Sequence, residues 1–436
     1  MLTAELRERA AALVARLGRP STAGKVQKVI GLGIEASVGD ARMGDLVEVD
    51  GADGPIACKV VGFRDGLVLA IPMGERRGIR PGAPVRRRDG AAGIPVGPEL
   101  LGRLIDPFGN PLDGLPPPRC RQRARIDAPA PTVIERAPVS LRFDTGVRVI
   151  DGLLTCGRGQ RIGIFAGAGV GKSVLVEQIA RQGAADVTVV GLIGERGREV
   201  RELLSSQRKT SMVIVAATSD RSPMERSRGA RAATAVAEHF RDQGANVLLV
   251  IDSLTRYAMA LREIGLSIGE PPATKGYPPS VFSTLPLLLE RVAPLEGRGS
   301  ITAFYTVLVE GDDMADPVAD SARSLLDAHI VLSRDLAGRN QFPSVDVLTS
   351  ASRVARQVTD APAQDLMQRA REALAQRKLV QELQSLGAYT PGQNAGYDQS
   401  LATGRLLDEW ARQSPDTRSD YPTTMARLAA ALELPA

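Results

Sequence analysis

The chain has 436 residues and a net charge of +5, with 55 Lys and Arg against 50 Asp and Glu. That length is too great for one small core and predicts two or three domains. Aromatics are only 3%, so the core must come from Val, Leu, Ile and Ala. No apolar stretch reaches the roughly 18 residues of a membrane span, and the N-terminus lacks the continuous apolar run of a signal peptide. Three scattered cysteines, Cys58, Cys120 and Cys156, argue against a disulfide framework or a zinc site. These features predict a cytoplasmic protein. Its mild basicity permits an acidic partner or surface without demanding one.

Residues 1–20 read as an amphipathic helix, with Leu2, Leu6, Leu13 and Leu17 near one face. The helix either packs on its own domain or docks a partner or membrane surface. Residues 21–95 change to short apolar runs between Gly, Asp and Pro, as in "GDLVEVD" and "GLVLAIP", which predict strands of a small barrel. "PGAPVRRRDG" reads as a basic turn that ends this region. The proline-rich stretch 96–150 reads as a linker into the next domain. From 151 to 360 apolar runs alternate with helical patterns. The strand candidates are 161–165, 187–193, 213–218, 247–252, 301–309 and 329–333. Continuous apolar strands with crossover helices predict a parallel sheet covered on both faces. Residues 361–436 read as helical, with Gly387 as a stop.

The strongest chemical signal is "FAGAGVGKSVLVEQIAR", 165–181. An apolar strand enters a glycine-rich loop, then Lys172 and Ser173, then a helix. Gly167, Gly169 and Gly171, with Ala168 and Val170 between them, let backbone N–H groups turn inward around phosphate oxygens. The following helix, through Val174, adds the positive end of its dipole. Lys172 would reach the β and γ phosphates and Ser173 would ligate Mg²⁺. The loop opens on Ala166 where the usual pattern has Gly. That position needs a small residue more than a positive φ.

"NVLLVIDSLTRYA", 246–258, ends an apolar strand on Asp252. Such an Asp is either a ligand to the waters of Mg²⁺ or a helix N-cap. "IGERGREV", 193–200, crowds Glu195, Arg196 and Arg198 after another buried strand. In open parallel sheets ligands sit at the carboxyl ends of strands, which puts Glu195 on the same edge as Lys172 and Asp252. A nucleotide hydrolase needs a group to polarise the attacking water, and Glu195 can serve. The plainer reading pairs it with Arg196 or Arg198. His239 and His329 have no context suggesting that role.

These motifs together resemble the ATPases of type III protein export, flagellar and virulence, which are related to the catalytic subunits of rotary ATPases. The resemblance extends through "LLGRLIDPFGNPLDG", "GVRVIDGLLTCGRGQRIGIFAG", "GSITAFYTVLVEGDDMADPVADSARSLLDAHIVLSR" and "FPSVDVLTSASRV". It covers most of the chain from about residue 24 to 400. It implies a RecA-like P-loop α/β core with a parallel sheet, an N-terminal small β-barrel and a C-terminal helical domain. It also implies a homohexamer with ATP and Mg²⁺ at subunit interfaces. By the same resemblance Glu195 activates water, Arg196 and Arg256 lie near the site, Arg353 is an arginine finger from the neighbouring subunit, and Phe342 lies against adenine. A simple core role stays open for Phe342, and a surface salt bridge for Arg353. Implied partners are a dimeric regulatory protein on the N-terminal helix, a central stalk protein, a membrane export gate, export substrates and their chaperones.

The loop "GLSIGEPPATKGYPP", 265–279, holds seven Gly or Pro residues in fifteen, a composition for neither a helix nor a central strand. By resemblance it lines the ring's centre, with Lys275 and Tyr277 as contacts. A passive connection is the other reading.

Three rivals were weighed. A ring-shaped RNA helicase would need aromatic platforms in its barrel, and residues 1–100 contain one aromatic, Phe63, so no nucleic-acid partner is expected. A rotary proton-linked subunit would carry an acidic loop where this chain has "VQELQSLGAYTPGQNAGYD". A noncatalytic assembly protein does not fit functional Glu195, Lys172 and Arg353. Flagellar export is the first reading, and virulence (injectisome) secretion the alternative.

Overall fold

A computed structural model describes residues 24–74, 78–88, 93–205, 210–309, 311 and 313–433. The N-terminal helix expected over 1–20 lies outside the described residues. The chain divides into two compact units, one holding the barrel with residues 220–225 and 259–278, the other holding nearly all the rest.

The barrel follows from period-two patterning. Strands β1 (Gly24–Ile30), β2 (Gly33–Ser37), β3 (Leu46–Gly51), β4 (Gly54–Arg64), β5 (Leu67–Pro72) and β6 (Pro84–Arg87) close in the order β1-β2-β5-β4-β3-β6. Every pairing is antiparallel. Alternate residues, including Val26, Ile34, Val47, Val49, Cys58, Val60, Val68 and Val85, fill the interior. Burial pushes the Cys58 thiol up to about 12, so it acts as a small apolar group there. The expected basic turn at 81–90 is corrected here. Val85 is fully buried while Pro84 and Arg86 face outward, so "PVRR" is the strand that closes the barrel. In the same unit, Arg64 donates to the Ile268 carbonyl at 2.9 Å.

The stretch expected as a linker is folded. Strand β7 (Gly93–Val96) pairs with β9 (Gln122–Arg125), and the two-residue β8 (Leu104–Ile105) adds an edge strand to the main sheet. Two aspartates organise the turns between them. Asp106 accepts from the backbone of Phe108 and Asn110. Asp113 accepts from Arg103 and from the N–H of Leu104 and Leu115. These bonds replace the water that a linker would use. A short pair, β10 (Arg142–Phe143) with β11 (Cys156–Gly157), brackets helix α1 (Arg148–Leu153).

The main sheet adds β12 (Arg161–Ala166), β13 (Val187–Ile193), β14 (Met212–Ala217), β15 (Asn246–Asp252), β16 (Ser300–Leu308), β17 (Ala328–Leu332) and β18 (Val345–Ser352). Its order is β18-β17-β12-β16-β15-β13-β14-β8. All pairings are parallel except β17 with β18. All seven residues of β13 and all six of β14 are buried, as expected where both faces are covered. The crossovers carry α2 (Lys172–Gln182), α3 (Gly197–Ser205), α4 (Pro223–Asp242), α5 (Leu254–Ser267), α6 (Pro279–Leu289), α7 (Pro317–Leu325) and α8 (Arg334–Gly338). Helix α5 runs on through Gly265 to Ser267, so the loop expected to begin at 265 begins after it.

Three helices finish the chain: α9 (Ala361–Ser385), α10 (Ala395–Ala411) and α11 (Tyr421–Glu433). Asp360 and Asn394 cap α9 and α10 by accepting from backbone N–H groups. Gly387, at φ +70°, ends α9 as expected. Met367, Ala370, Leu407, Trp410 and Leu428 belong to the same apolar cluster as Leu153, Ile164 and Phe304 of the sheet region. The helices therefore share one core with the nucleotide domain. Arg148 reinforces the join by donating to the Trp410 carbonyl at 2.6 Å.

One buried ion pair ties α4 to the chain after α6. Arg291, 2% exposed, donates to both oxygens of Glu238 at 2.8 and 2.5 Å and to the Ile126 carbonyl. Removing the carboxylate strands a buried guanidinium, which typically costs about 3–5 kcal/mol. Glu238→Ala should therefore lower the urea midpoint by that equivalent. A loss under about 1 kcal/mol would show that the pair is solvated.

Candidate active site

β12 ends at Ala166, and the chain turns through Gly167–Gly171 into α2. Gly169 and Gly171 have φ of +78° and +86°, a region that side chains disfavour. Gly171 is constrained twice, because a Cβ there would lie 3.1 Å from the ring of Phe342. Gly167 and Val170 are buried, whereas Ala168, Gly169, Ser173 and Val174 are exposed. The loop thus offers an open rim and a fixed floor. Part of the floor is Ser344, buried, which donates to the Val170 carbonyl at 2.6 Å. Phe342 is 40% exposed beside the loop. That exposure removes its reading as a simple core residue and leaves a ring face available for stacking.

The adjacent strands deliver the carboxylates. β13 and β15 pair in parallel with Leu192 opposite Asp252, so Asp252 and Glu195 emerge on one edge with the glycine loop. The Lys172 ammonium contacts Asp252 directly and lies 3.8 Å from Glu195 Oε1. The three side chains, Lys172, Glu195 and Asp252, are only 11%, 13% and 8% exposed. Burial, then the negative charge of Asp252, pushes the Glu195 carboxyl up to about 7 against the pull of Lys172. A hydrogen bond with Glu199 pushes the same way. Lys172, Asp252 and Glu199 are thus the strongest electrostatic neighbours of Glu195. Arg196 and Arg198, by contrast, are exposed.

Asp252 is not the N-cap of α5. That position belongs to Ser253, whose Oγ accepts from the Arg256 N–H at 3.2 Å. Asp252 is instead held by Lys172 and by Thr306, which donates to its Oδ1 at 2.5 Å. Arg256 lies over Gly194. At φ +70°, a side chain at 194 would come within 3.0–3.4 Å of the Arg256 Cβ, Cγ and Cδ.

Arg353 is at the other edge. Its N–H donates to the Asp327 carbonyl, and the Asp327 N–H donates to the carbonyl of Arg161, the first residue of β12. The glycine loop follows the last residue, Ala166. At about 3.3 Å per residue the strand separates the two by about 17 Å. The exposed Arg353 therefore does not serve its own chain's loop. In the barrel's unit Lys275 is exposed, but Tyr277 is 5% exposed with the Arg262 guanidinium 5.2 Å from its ring centroid. A buried ring is not a contact surface, so the expectation of Tyr277 as a pore contact is corrected. Thr306 and Ser344 escaped sequence reading. Thr306 is one of several hydroxyl-bearing residues of its strand, and nothing singles it out without the register.

A family model described as the ATP synthase alpha/beta family, nucleotide-binding domain, matches residues 146–352. The beta-barrel domain of that family matches 26–89, and the T3SS EscN ATPase C-terminal domain matches 359–430. The flagellum-specific ATP synthase of Salmonella typhimurium is 45% identical over 93% of this chain and 92% of its own length. The chain belongs to the type III secretion ATPase family. It is an ATP-hydrolysing, secretion-associated member, with the RecA-like core, barrel and helical domain that the sequence predicted. The type 3 secretion system ATPase of Xanthomonas euvesicatoria is 44% identical over 93% of each chain. The assembled ATPase EscN of enteropathogenic E. coli superposes with a TM-score of 0.88 at 42% identity, covering 94% of this chain and all of EscN's. Flagellar and virulence relatives thus match about equally in sequence, while the solved structure is a virulence one. The balance moves from the flagellar reading to its alternative. Among the described residues no helix is long and apolar enough to cross a membrane.

The raised Glu195 carboxyl has a thermodynamic consequence. Its folded-state value lies above the usual 4.5, so ionising it opposes folding. The penalty is absent below about pH 4.5 and complete above about pH 7. Glu195→Gln should therefore stabilise the nucleotide-free protein at pH 8 by an amount on the order of 2 kcal/mol. The gain should shrink as the pH falls towards 5. Denaturant midpoints across that range test this, and a gain independent of pH would refute it.

Proposed function

We infer that the chain is a Mg²⁺-dependent ATPase that works as a ring and drives protein export through a type III apparatus, the injectisome branch being favoured over the flagellar one. The observation that carries the reading is the placement of Lys172, Glu195 and Asp252 around one glycine loop. The printed descriptions of EscN as an assembled ATPase, alone and with its central stalk EscO, support ring assembly and a stalk partner here. A regulatory dimer on residues 1–20, an export gate, substrates and chaperones remain part of the proposal. Lys275, exposed on the Gly- and Pro-rich loop, is the proposed contact to the stalk or substrate.

The residues divide the work as follows. Backbone N–H groups of Gly167–Val174 cradle the phosphates, and Phe342 stacks on the adenine. Lys172 exchanges Asp252 for the β and γ phosphates. Glu195, ionised, takes hydrogen-bonding hold of the attacking water and aligns it with the γ-phosphorus. Arg196 and Arg256 border this site. The donors suit Mg²⁺, which is usually held by one or two carboxylates plus substrate oxygens. Asp252 and the exposed Ser173 hydroxyl at the start of α2 would hold it. When bound, the ion supplies charge neutralisation on the phosphates.

Arg353 completes the site of a neighbouring copy, since it stands at the wrong edge for its own loop. Arg353→Ala should lower turnover by on the order of 10³-fold, and Lys172→Ala should abolish it. Mixing the two inactive proteins should restore activity, because some interfaces then pair an intact loop with an intact arginine. A mixture that stays as inactive as its components would refute supply from the neighbour.

A further inference from the structure

We propose that Thr306 is a positioning residue for the metal-side carboxylate, holding Asp252 in its metal-facing orientation when Lys172 departs to the nucleotide. The inference rests on the nucleotidase reading above and deepens it.

Thr306 lies in the central strand β16, fully buried. Its neighbours on the strand are Ala303, Phe304 and the phenol-bearing Tyr305 before it and Val307 and Leu308 after it. A buried hydroxyl left unbonded costs about 1–3 kcal/mol, and Thr306, unlike the adjacent Tyr305, has a partner. The register supplies it. β15 and β16 pair in parallel with Ile251 opposite Tyr305, which brings the next residues, Asp252 and Thr306, side by side. The hydroxyl donates to Asp252 Oδ1 at 2.5 Å. On its other side Thr306 pairs with Ile164 of β12, the strand that leads into the glycine loop. It therefore stands between the loop and the carboxylate.

Lys172 contacts the same oxygen, Oδ1. The carboxylate thus has two donors on one oxygen, and the proposed reaction requires one of them elsewhere. When the ammonium moves to the phosphates, Oδ1 keeps only the hydroxyl. With Oδ1 held, Oδ2 would be the oxygen left for Mg²⁺ or its water. Without the hydroxyl, no side-chain hydrogen bond among the described residues would hold Oδ1 once Lys172 has left. Partners one shell out from a metal commonly contribute 10–100-fold to its affinity.

The test reads metal binding rather than turnover. A fluorescent ATP analogue is titrated into the full-length protein in EDTA, and then Mg²⁺ is titrated at fixed nucleotide. Thr306→Val removes the hydroxyl at nearly constant shape. It should leave EDTA-state nucleotide affinity within about twofold and raise the Mg²⁺ concentration needed for half-effect by roughly tenfold or more. Thr306→Ser should restore the parental Mg²⁺ midpoint. If the valine protein does not fold, Thr306→Ala carries the same expectation, with serine again as the rescue. A shifted melting temperature with an unchanged Mg²⁺ midpoint would overturn the proposal, because a merely structural hydroxyl would act that way. So would a serine variant that fails to recover. If the parent itself shows no Mg²⁺-dependent nucleotide binding, the nucleotidase reading falls instead.

Discussion

Two carboxylates and one ammonium share a water-poor niche at the end of an apolar sheet, and much of the site's behaviour follows from that imbalance. Lys172 cannot neutralise both Asp252 and Glu195 at close range. It contacts Asp252 and stands 3.8 Å from Glu195. Burial first, and then the uncompensated negative charge of Asp252, raise the Glu195 carboxyl to about 7. A carboxyl tuned towards neutrality is a better proton acceptor than an ordinary one. The cation meant for phosphate is occupied by the carboxylate meant for the metal, so neither is buried alone.

The geometry requires a parallel sheet with these strands adjacent. Placing β16 between β12 and β15 puts a hydroxyl between loop and carboxylate, and β13 beside β15 brings Glu195 to the same edge. Reversing β18 has the opposite use. It returns the chain to the far edge and delivers Arg353 there. One sheet therefore presents a nucleotide cradle on one side and a cation on the other. That is the polarity a head-to-tail ring needs, where each copy's second face completes its neighbour's first.

The sequence made the central strands legible because both faces are buried. Runs such as "VTVVGLI" have no exposed position to break them. The glycine loop, Lys172 and Asp252 were equally legible, since their residue types follow from backbone and phosphate chemistry. Edges were harder. β18 mixes buried and half-exposed positions, with Thr349 exposed and Ser350 buried, because it lines the rim of the sheet. β8 is two residues long and is defined by its neighbour β14. β6 looked like a basic turn because its arginines point outward from the barrel and only Val85 points in. Thr306 could not be singled out at all. Its meaning depends on a register with a residue 54 positions earlier.

The C-terminal domain bears on the segment carrying Phe342 through two glutamines, Gln413 and Gln341. The Gln413 N–H donates to the Phe342 carbonyl, its side-chain amide donates to the carbonyls of Gly146 and Thr417, and its Oε1 accepts from the Arg148 N–H. Next to it, Gln341 reaches Asp408 of α10, and Asp408 in turn holds Arg377 of α9. The wall on which the base would rest is thus mechanically continuous with the helical bundle and, through Ser344, with the phosphate loop. A torque applied to α10 by anything that grips the bundle must either carry Phe342 with it or break these bonds. Because the same helices share the apolar core of the sheet, displacing them would cost that packing as well as these hydrogen bonds.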